Sequence, residues 1–249
     1  MELVDSHIHL QDYKTEDVNN IIKRAMKNGI GNFVNVSANP DDWGKIKAIA
    51  AQYRQIIPAY GVHPWHIAKA PNDWFEILQN ILQENPQAWV GECGVDCVRN
   101  SDVKQQLEFF KKQVKLADLY NRPLIIHAVK ALNVLNKMLT ILPRKSIFHS
   151  FTGPAEWGKQ IQNCGFFVGL NFSILRKKDI EQILHNLNIT QILLETDGPY
   201  QNISVGMETM PYNLPILAEK LAKYFGLTKQ QFINVLIENW LNFKGDVIK

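Results

Sequence analysis

The 249-residue chain lacks the features that mark disulfide-rich secreted proteins and membrane-spanning proteins. Its 3 Cys are too few for a disulfide framework. No apolar run approaches the roughly 18 residues that a membrane span needs, and the mean hydropathy is −0.17. The N-terminus opens directly into strand-like sequence rather than a basic and then apolar leader, so no signal peptide is expected. These absences predict a soluble, cytoplasmic protein without a membrane association.

The chain also lacks a strong excess of one charge and any sign of an internal boundary. Its 27 Lys and Arg against 24 Asp and Glu give a net charge of +3. A DNA-coating protein is usually more basic, with clustered charge, so the composition permits a polyanionic substrate without indicating one. No repeat, low-complexity tract or linker interrupts the sequence. We therefore expect one domain over residues 1–249, long enough to bury a large core.

What the chain does contain is a recurring pair of elements, a short apolar run followed by an amphipathic helical pattern. Eight runs predict strands at Leu3–Leu10, Gly31–Ala38, Ile56–His63, Ala88–Val95, Pro123–Ala128, Ser146–Phe151, Phe166–Asn171 and Gln191–Thr196. Helical spacing predicts helices at Thr15–Lys27, Asp42–Tyr53, Trp74–Glu84, Asp102–Tyr120, Val129–Leu142, Lys178–Leu187, Asn213–Tyr224 and Thr228–Trp240.

Strands separated by helices indicate an α/β fold with a parallel sheet. Eight such units in about 250 residues have the usual size of a TIM (β/α)8 barrel, whose sites lie at the C-terminal strand ends. A doubly wound open sheet could be built from the same elements. The barrel is favoured because His and acidic residues recur near the predicted strand ends.

Two histidines end the first predicted strand. His7 and His9 are two residues apart, so the alternation of a strand places both on one face, where they can bind one metal ion. A His-x-His pair by itself is a weak signal, since paired histidines more often lie on a surface or in a core.

Glu92 lies inside a hydrophobic strand, between two glycines. A buried carboxylate costs several kcal/mol unless it is paired or binds a cation, and the glycines leave room for another group to approach. A structural pair with an arginine is the alternative explanation.

Further chemistry-bearing side chains end other predicted strands, namely His63, His127, His149 and Asp197. Leaving His63 aside, four His, one Glu and one Asp then lie on five strand ends. Nitrogen and oxygen ligands without thiolate suit Zn, Mn, Fe, Co or Mg. Six ligands are more than one tetrahedral ion needs, but two ions about 3.5–4 Å apart with a bridging carboxylate would use them all.

These residues lie in five ordered motifs that resemble the TatD family of metal-dependent hydrolases, within the amidohydrolase-like barrels. The motifs are Asp5–Leu10, Gly61–Pro64, Gly91–Asp96, His149–Gly153 and Glu195–Tyr200. The resemblance covers essentially the whole chain and implies two bound divalent ions, from among Mg, Mn, Zn and Co. One ion would be held by His7, His9, Glu92 and Asp197. The second would be held by Glu92 as a bridge, His127 and His149.

The resemblance also implies an activity and the residues that carry it. Members of the family are DNases that trim single-stranded or damaged DNA from the 3′ end, and they are often monomers. His63 would contact the substrate phosphate or the attacking water. Asp197, a ligand through one oxygen, would accept the proton of that water through the other.

The substrate contacts depart from the family pattern. Where the family carries His-x-Arg, this chain has Val129 in place of the arginine, and Lys130 is the candidate substitute for the missing guanidinium. Glu208 stands where a cation is common, and would repel a phosphodiester if it faced the site. Trp65, beside His63, would either stack on a base or serve as a packing lid.

Three functions therefore stay open. The first is a nuclease acting on DNA ends. The second is a metal-dependent hydrolase of a small ester, amide or phosphate ester without nuclease activity, which the altered phosphate contacts favour. The third is a catalytically silent binding protein, against which the six candidate ligands weigh.

Overall fold

Eight β-strands follow one another in a single sheet in the order of the chain. The computed structural model describes residues 2–14, 16–99, 102–201 and 208–245. The strands are β1 (Leu3–Ile8), β2 (Ile30–Val36), β3 (Ile56–Tyr60), β4 (Trp89–Asp96), β5 (Leu124–Val129), β6 (Ser146–Phe148), β7 (Phe167–Leu170) and β8 (Ile192–Leu194). Neighbouring strands pair in parallel. A doubly wound sheet would reverse its strand order at a switch point, so the consecutive order confirms the predicted TIM-barrel class.

Helices separate the strands, as a parallel sheet requires. Those of the described residues are α1 (Val18–Lys27), α2 (Trp43–Gln52), α3 (Trp74–Glu84), α4 (Val103–Leu119), α5 (Leu132–Leu135), α6 (Ala155–Asn163), α7 (Ile180–His185), α8 (Leu214–Ala222) and α9 (Lys229–Lys244). In this part of the chain, no helix is both long and apolar enough to cross a membrane.

The helices that follow β5 and β6 differ from the prediction. The helix predicted over Val129–Leu142 starts too early, because Val129 ends β5 and Lys130 has a positive φ of 48°. The short α5 there continues as 3-10 turns over Asn136–Ile141. Helix α6 was missed, although its buried Trp157 and Ile161 have i,i+4 spacing.

The first helix begins later than predicted. Thr15, its predicted first residue, lies outside the described residues, and α1 starts at Val18. Asp17 precedes it as the N-cap, and its side chain accepts a hydrogen bond from the amide of Asn20 at 3.0 Å. This satisfies one of the amides that a helix start leaves unpaired.

The chain divides into two compact units. We call Met1–Val34 with Ser150–Lys249 the terminal unit, and Asn35–His149 the central unit. The terminal unit contains β1, β7 and β8, and the central unit contains β3 to β6. A single domain over residues 1–249 stays a prediction.

Strand β4 is buried along its whole length, including its carboxylates Glu92 and Asp96. Its pairing register with β5 shifts between Val90 and Cys93, and such an irregularity re-aims the side chain that it carries. Gly94 follows with φ of 148°, and a Cβ there would collide with the backbone carbonyl of His127. The strand thus needs glycine at this position for two reasons, its backbone angle and the close approach of β5.

We expect Gly94→Ala to lower the free energy of unfolding by more than about 2 kcal/mol, since backbone strain and overlap add together. Urea unfolding followed by circular dichroism measures this. Gly29→Ala is the matched control, because Gly29 also has a positive φ, 84°, but open space where its Cβ would lie. Equal losses of unfolding free energy in the two variants would show that the close approach of β5 does not contribute to the effect of Gly94→Ala.

Candidate metal centre

Three predicted ligands of the terminal unit converge on one point. His7, His9 and Asp197 are all buried, and we call them the first cluster. The Nε2 atoms of His7 and His9 are 3.1 Å apart. The Oδ1 atom of Asp197 lies 3.7 Å from the first and 3.5 Å from the second. Two imidazole nitrogens and a carboxylate oxygen at such spacing form a donor set that can hold a metal ion.

The backbone brings these three side chains together. His7 lies within β1, and His9 follows directly after it. Asp197 comes after β8, with a positive φ of 54°. Its amide donates to the carbonyl of His7 at 2.9 Å, and the amide of His9 donates to the carbonyl of Gly198 at 2.8 Å. The pairing of the first and last strands therefore sets the spacing of the cluster.

Asp5 supports this pairing, a role that the sequence reasoning missed. The side chain is fully buried. Its Oδ1 accepts the amide of Thr196 at 2.9 Å, and its Oδ2 accepts the Thr196 hydroxyl at 2.5 Å. Burial raises the pKa of Asp5 to about 7, although the hydrogen bonds from Thr196 act in the opposite direction. Asp5 thus connects β1 to the residue that precedes Asp197.

The carboxylate of Glu92 is the centre of a second group of side chains, in the central unit. We call Glu92, His63, His127 and His149 the second cluster; all four are buried. Its Oε1 lies 2.6 Å from Nε2 of His149, 2.8 Å from Nδ1 of His127 and 3.4 Å from Nε2 of His63. The alternative explanation of Glu92 was a structural pair with an arginine. The described residues show three imidazoles around this carboxylate instead.

Both ring nitrogens of His127 face a carboxylate. Its Nε2 lies 3.3 Å from Oδ2 of Asp96, and its Nδ1 lies 2.8 Å from Oε1 of Glu92. Either nitrogen can therefore carry the ring proton, but a cation bound by Glu92 and Nδ1 would leave that proton on Nε2, facing Asp96. Burial alone would lower the pKa of His127, but the hydrogen bonds to Asp96 and Glu92 raise it. A histidine that donates to a carboxylate and offers its other nitrogen is the arrangement of many metal ligands.

His63 has the opposite arrangement. Its Nδ1 accepts the backbone amide of Trp65 at 3.1 Å, so a neutral ring carries its proton on Nε2, the atom that faces Glu92. Burial lowers the pKa of His63 to about 4, against the attraction of Glu92. A neutral His63 thus offers a hydrogen-bond donor to this cluster rather than a lone pair. His63, Glu92 and His127 lie close enough together to hold an ion, but this tautomer suits His63 better to a substrate or water contact.

Asp96 itself accepts four hydrogen bonds. Its Oδ1 accepts the amides of Val98 at 2.8 Å and Arg99 at 2.9 Å. Its Oδ2 accepts the indole N–H of Trp65 at 2.7 Å in addition to His127. Burial would raise the pKa of Asp96, but the hydrogen bonds, led by that of His127, outweigh it and hold the pKa well below its usual range.

The predicted substrate contacts have different surroundings. Trp65 is 42% exposed, and its ring centroid lies 4.7 Å from that of His63. Lys130 is exposed, and its side chain forms no hydrogen bond or ion pair with the described residues. Glu208, in the terminal unit, accepts the backbone amide of Lys14 at 3.2 Å. Trp65 thus contacts a residue of the second cluster.

Both clusters fit a divalent ion by the chemistry of their donors. Each gathers buried imidazole nitrogens around a buried carboxylate. The donor atoms of His7, His9 and Asp197 lie within 4.8 Å of one another, and so do those of His63, Glu92 and His127. Thiolate takes no part, and this favours Zn, Mn, Co or Mg over metals that need soft ligands. Burying such groups is costly unless charge compensates them, so a cation is a suitable partner for each.

Comparisons with known proteins identify relatives of this chain. The family model described as TatD related DNase matches residues 4–244. The human protein named Deoxyribonuclease TATDN3 is 26% identical, over 96% of this chain and 93% of its own. The 3'-5' ssDNA/RNA exonuclease TatD of Erwinia tasmaniensis is 27% identical over 74% of each chain. The crystal structure of the TatD homologue YjjV from Escherichia coli K12 has the same fold, with a TM-score of 0.89 and 24% identity over 97% of both chains.

We expect Thr196→Val to lower the free energy of unfolding by about 1–3 kcal/mol, since it leaves an oxygen of the buried Asp5 without its hydroxyl donor. Thermal and urea unfolding measure this. Thr140→Val makes the same chemical change at an exposed position and should alter stability by less than about 0.5 kcal/mol. If Thr196→Val were as stable as the control, the hydrogen bond between Asp5 and Thr196 would not stabilise the first cluster.

Proposed function

The chain belongs to the family of TatD-related DNases, and on that basis we propose that it removes nucleotides from the 3′ end of DNA. The chain is a metal-dependent hydrolase of that family. The observation that carries the proposal is the second cluster, in which one buried carboxylate faces three imidazoles. This set suits a cation beside a phosphodiester.

We assign one divalent ion to each cluster. His7, His9 and Asp197 would hold the first, and Glu92, His127 and His149 would hold the second. Mg, Mn, Zn and Co all suit these ligands. The bridging role of Glu92 that the family resemblance implies stays a prediction.

A divalent ion, when bound, would supply polarisation of water and neutralisation of charge on the phosphoryl oxygens. Water would attack phosphorus as the bond from phosphorus to the leaving sugar oxygen breaks. Asp197 would accept the proton of the attacking water, and the leaving oxygen would take a proton from solvent. His63 donates its Nε2–H to a phosphoryl oxygen. With a cation at the second cluster, Asp96 would accept the Nε2 proton of His127, so that Nδ1 would be its ligand atom.

The names of two relatives support DNA as the substrate. One is a deoxyribonuclease, and another is an exonuclease acting on single-stranded DNA and RNA from the 3′ end. The exposed indole of Trp65 is compatible with single strands, because an aromatic face can contact any unstacked base. We further propose that the protein is cytoplasmic and monomeric.

A small ester, amide or phosphate ester is the second candidate substrate. Val129 stands where the family pattern places an arginine, and Glu208 adds a negative charge in place of a cation. These two residues favour a substrate with fewer phosphates than DNA. A catalytically silent binding protein is less favoured, since binding alone does not require two buried sets of metal donors.

The nuclease proposal predicts a metal-dependent ladder that shortens from the 3′ end when 5′-labelled single-stranded DNA is incubated with the protein and Mg²⁺, Mn²⁺, Co²⁺ or Zn²⁺. Asp197→Asn should lower kcat by about 10²–10⁴-fold, the usual contribution of a proton acceptor. Glu92→Gln should weaken metal binding by at least about 10–100-fold.

Glu84→Gln is the control for the carboxylate change, because Glu84 is exposed at the end of α3. It should cleave like the unaltered protein. No cleavage of DNA by a metal-loaded protein would reject the nuclease and leave the small ester or amide as the substrate. Full turnover by Asp197→Asn would remove Asp197 as the proton acceptor.

One ion per cluster predicts two equivalents of metal by elemental analysis, and one in either His9→Ala or His149→Ala. Metal at about 100 times its dissociation constant should stabilise the folded protein by about 2.7 kcal/mol per site, visible as a higher Tm than in EDTA. His185→Ala, which alters an exposed histidine, should keep both equivalents. If His9→Ala and His149→Ala each lost both ions, the proposal that the two clusters bind metal independently would be contradicted.

A further inference from the structure

We propose that Arg99 binds a phosphate of a single-stranded nucleic acid, and that Trp65 and Asp96 are the positioning residues that hold its guanidinium in place. The inference rests on the proposed function, since it names the group that recognises the substrate of the second cluster. Arg99 lies in the turn after β4. It would supply the positive charge that is missing after β5, where Val129 stands in place of the family's arginine.

The guanidinium of Arg99 has a defined place although the residue is exposed. Its Cζ lies 3.9 Å from the centroid of the Trp65 ring. Stacking on an aromatic face reduces the conformational freedom of a guanidinium while its N–H edges stay available. Among the described residues, Arg99 forms no salt bridge. Its donors are therefore available to an anion.

Both members of this pair are attached to the second cluster. The indole N–H of Trp65 and the backbone amide of Arg99 donate to opposite oxygens of Asp96. The same Asp96 carboxylate contacts His127, and the backbone amide of Trp65 donates to His63. The guanidinium thus lies at a fixed place beside the groups proposed to act on the phosphodiester.

The carboxylate of Asp96 does not neutralise Arg99. It already accepts four hydrogen bonds, from Val98, Arg99, Trp65 and His127, and only the backbone amide of Arg99 is among them.

Two consequences separate this role from that of a general surface charge. A guanidinium binds phosphate through two parallel N–H donors, which lysine cannot reproduce. Trp65 acts through Arg99, so removing the indole should not weaken nucleic-acid binding any further once the guanidinium is gone. If a base stacked directly on Trp65, the losses of binding free energy from the two substitutions would instead add.

The experiment measures binding of the full-length protein, as purified with its metal, to a fluorescein-labelled oligothymidylate whose phosphorothioate linkages resist cleavage. Arg99→Gln should raise the Kd by about 10-fold or more, the value of a charge-assisted hydrogen bond. The slope of log K against log salt should fall by about 0.7, as expected for one phosphate contact on a single strand. Arg99→Lys should recover the salt slope but not the full affinity.

Arg144→Gln is the matched control, because Arg144 is exposed in the same unit, and it should bind like the unaltered protein. Trp65→Leu should weaken binding, and Trp65→Leu with Arg99→Gln should bind no more weakly than Arg99→Gln. Additive losses would overturn the positioning role of Trp65. Circular dichroism and Tm confirm that each variant is folded.

The outcomes distinguish the inference from the nuclease proposal. Cleavage of unmodified DNA together with an Arg99→Gln protein that binds like the Arg144→Gln control would overturn the inference alone. Absence of cleavage with binding that still depends on Arg99 would reject the nuclease and support the phosphate contact. An unaltered protein that does not bind the oligonucleotide would overturn the inference.

Discussion

The buried negative charge of Glu92 is the constraint on which the central unit depends. A carboxylate taken out of water costs several kcal/mol unless charge or hydrogen bonds compensate it. Here three imidazoles provide that compensation within 3.4 Å. Three features of β4 accompany this buried charge: the register shift between Val90 and Cys93, the glycine that lets β5 approach, and Asp96, which faces the second nitrogen of the histidine beside Glu92.

Two histidines around this carboxylate have opposite chemistry because their second nitrogens meet different partners. His127 lies between two acceptors, the carboxylates of Asp96 and Glu92, so its Nδ1 would offer a lone pair only with a cation bound at Glu92. His63 meets a donor, the amide of Trp65, and therefore turns an N–H toward it. The residue type alone does not distinguish a metal ligand from a substrate contact. The hydrogen bond on the far side of the ring does.

Sequence patterns predict the strands well and the supporting contacts poorly, for physical reasons. A parallel strand buried on both faces is a continuous apolar run, so all eight strands are found within a few residues of their bounds. Histidines and carboxylates at strand ends likewise indicate the two clusters, whose metal binding stays a prediction. Asp96 could not be interpreted in this way, because its side-chain partners Trp65 and His127 each lie 31 residues away along the chain, in opposite directions. The start of α5 was misplaced because Val129 is an apolar residue at the junction of a strand and a helix, where it fits the pattern of either element.

The hydrogen bonds between Asp5 and Thr196 join residues that are 191 positions apart, whereas His127 and Glu92 are separated by 35. Chains emerge from the ribosome N-terminus first, and contacts of long sequence separation form slowly because loop closure must precede them. The central unit can therefore assemble its donors while synthesis continues. The donors of the terminal unit must wait for nearly the whole chain, which makes the pairing of the first and last strands a late event in the biogenesis of this protein.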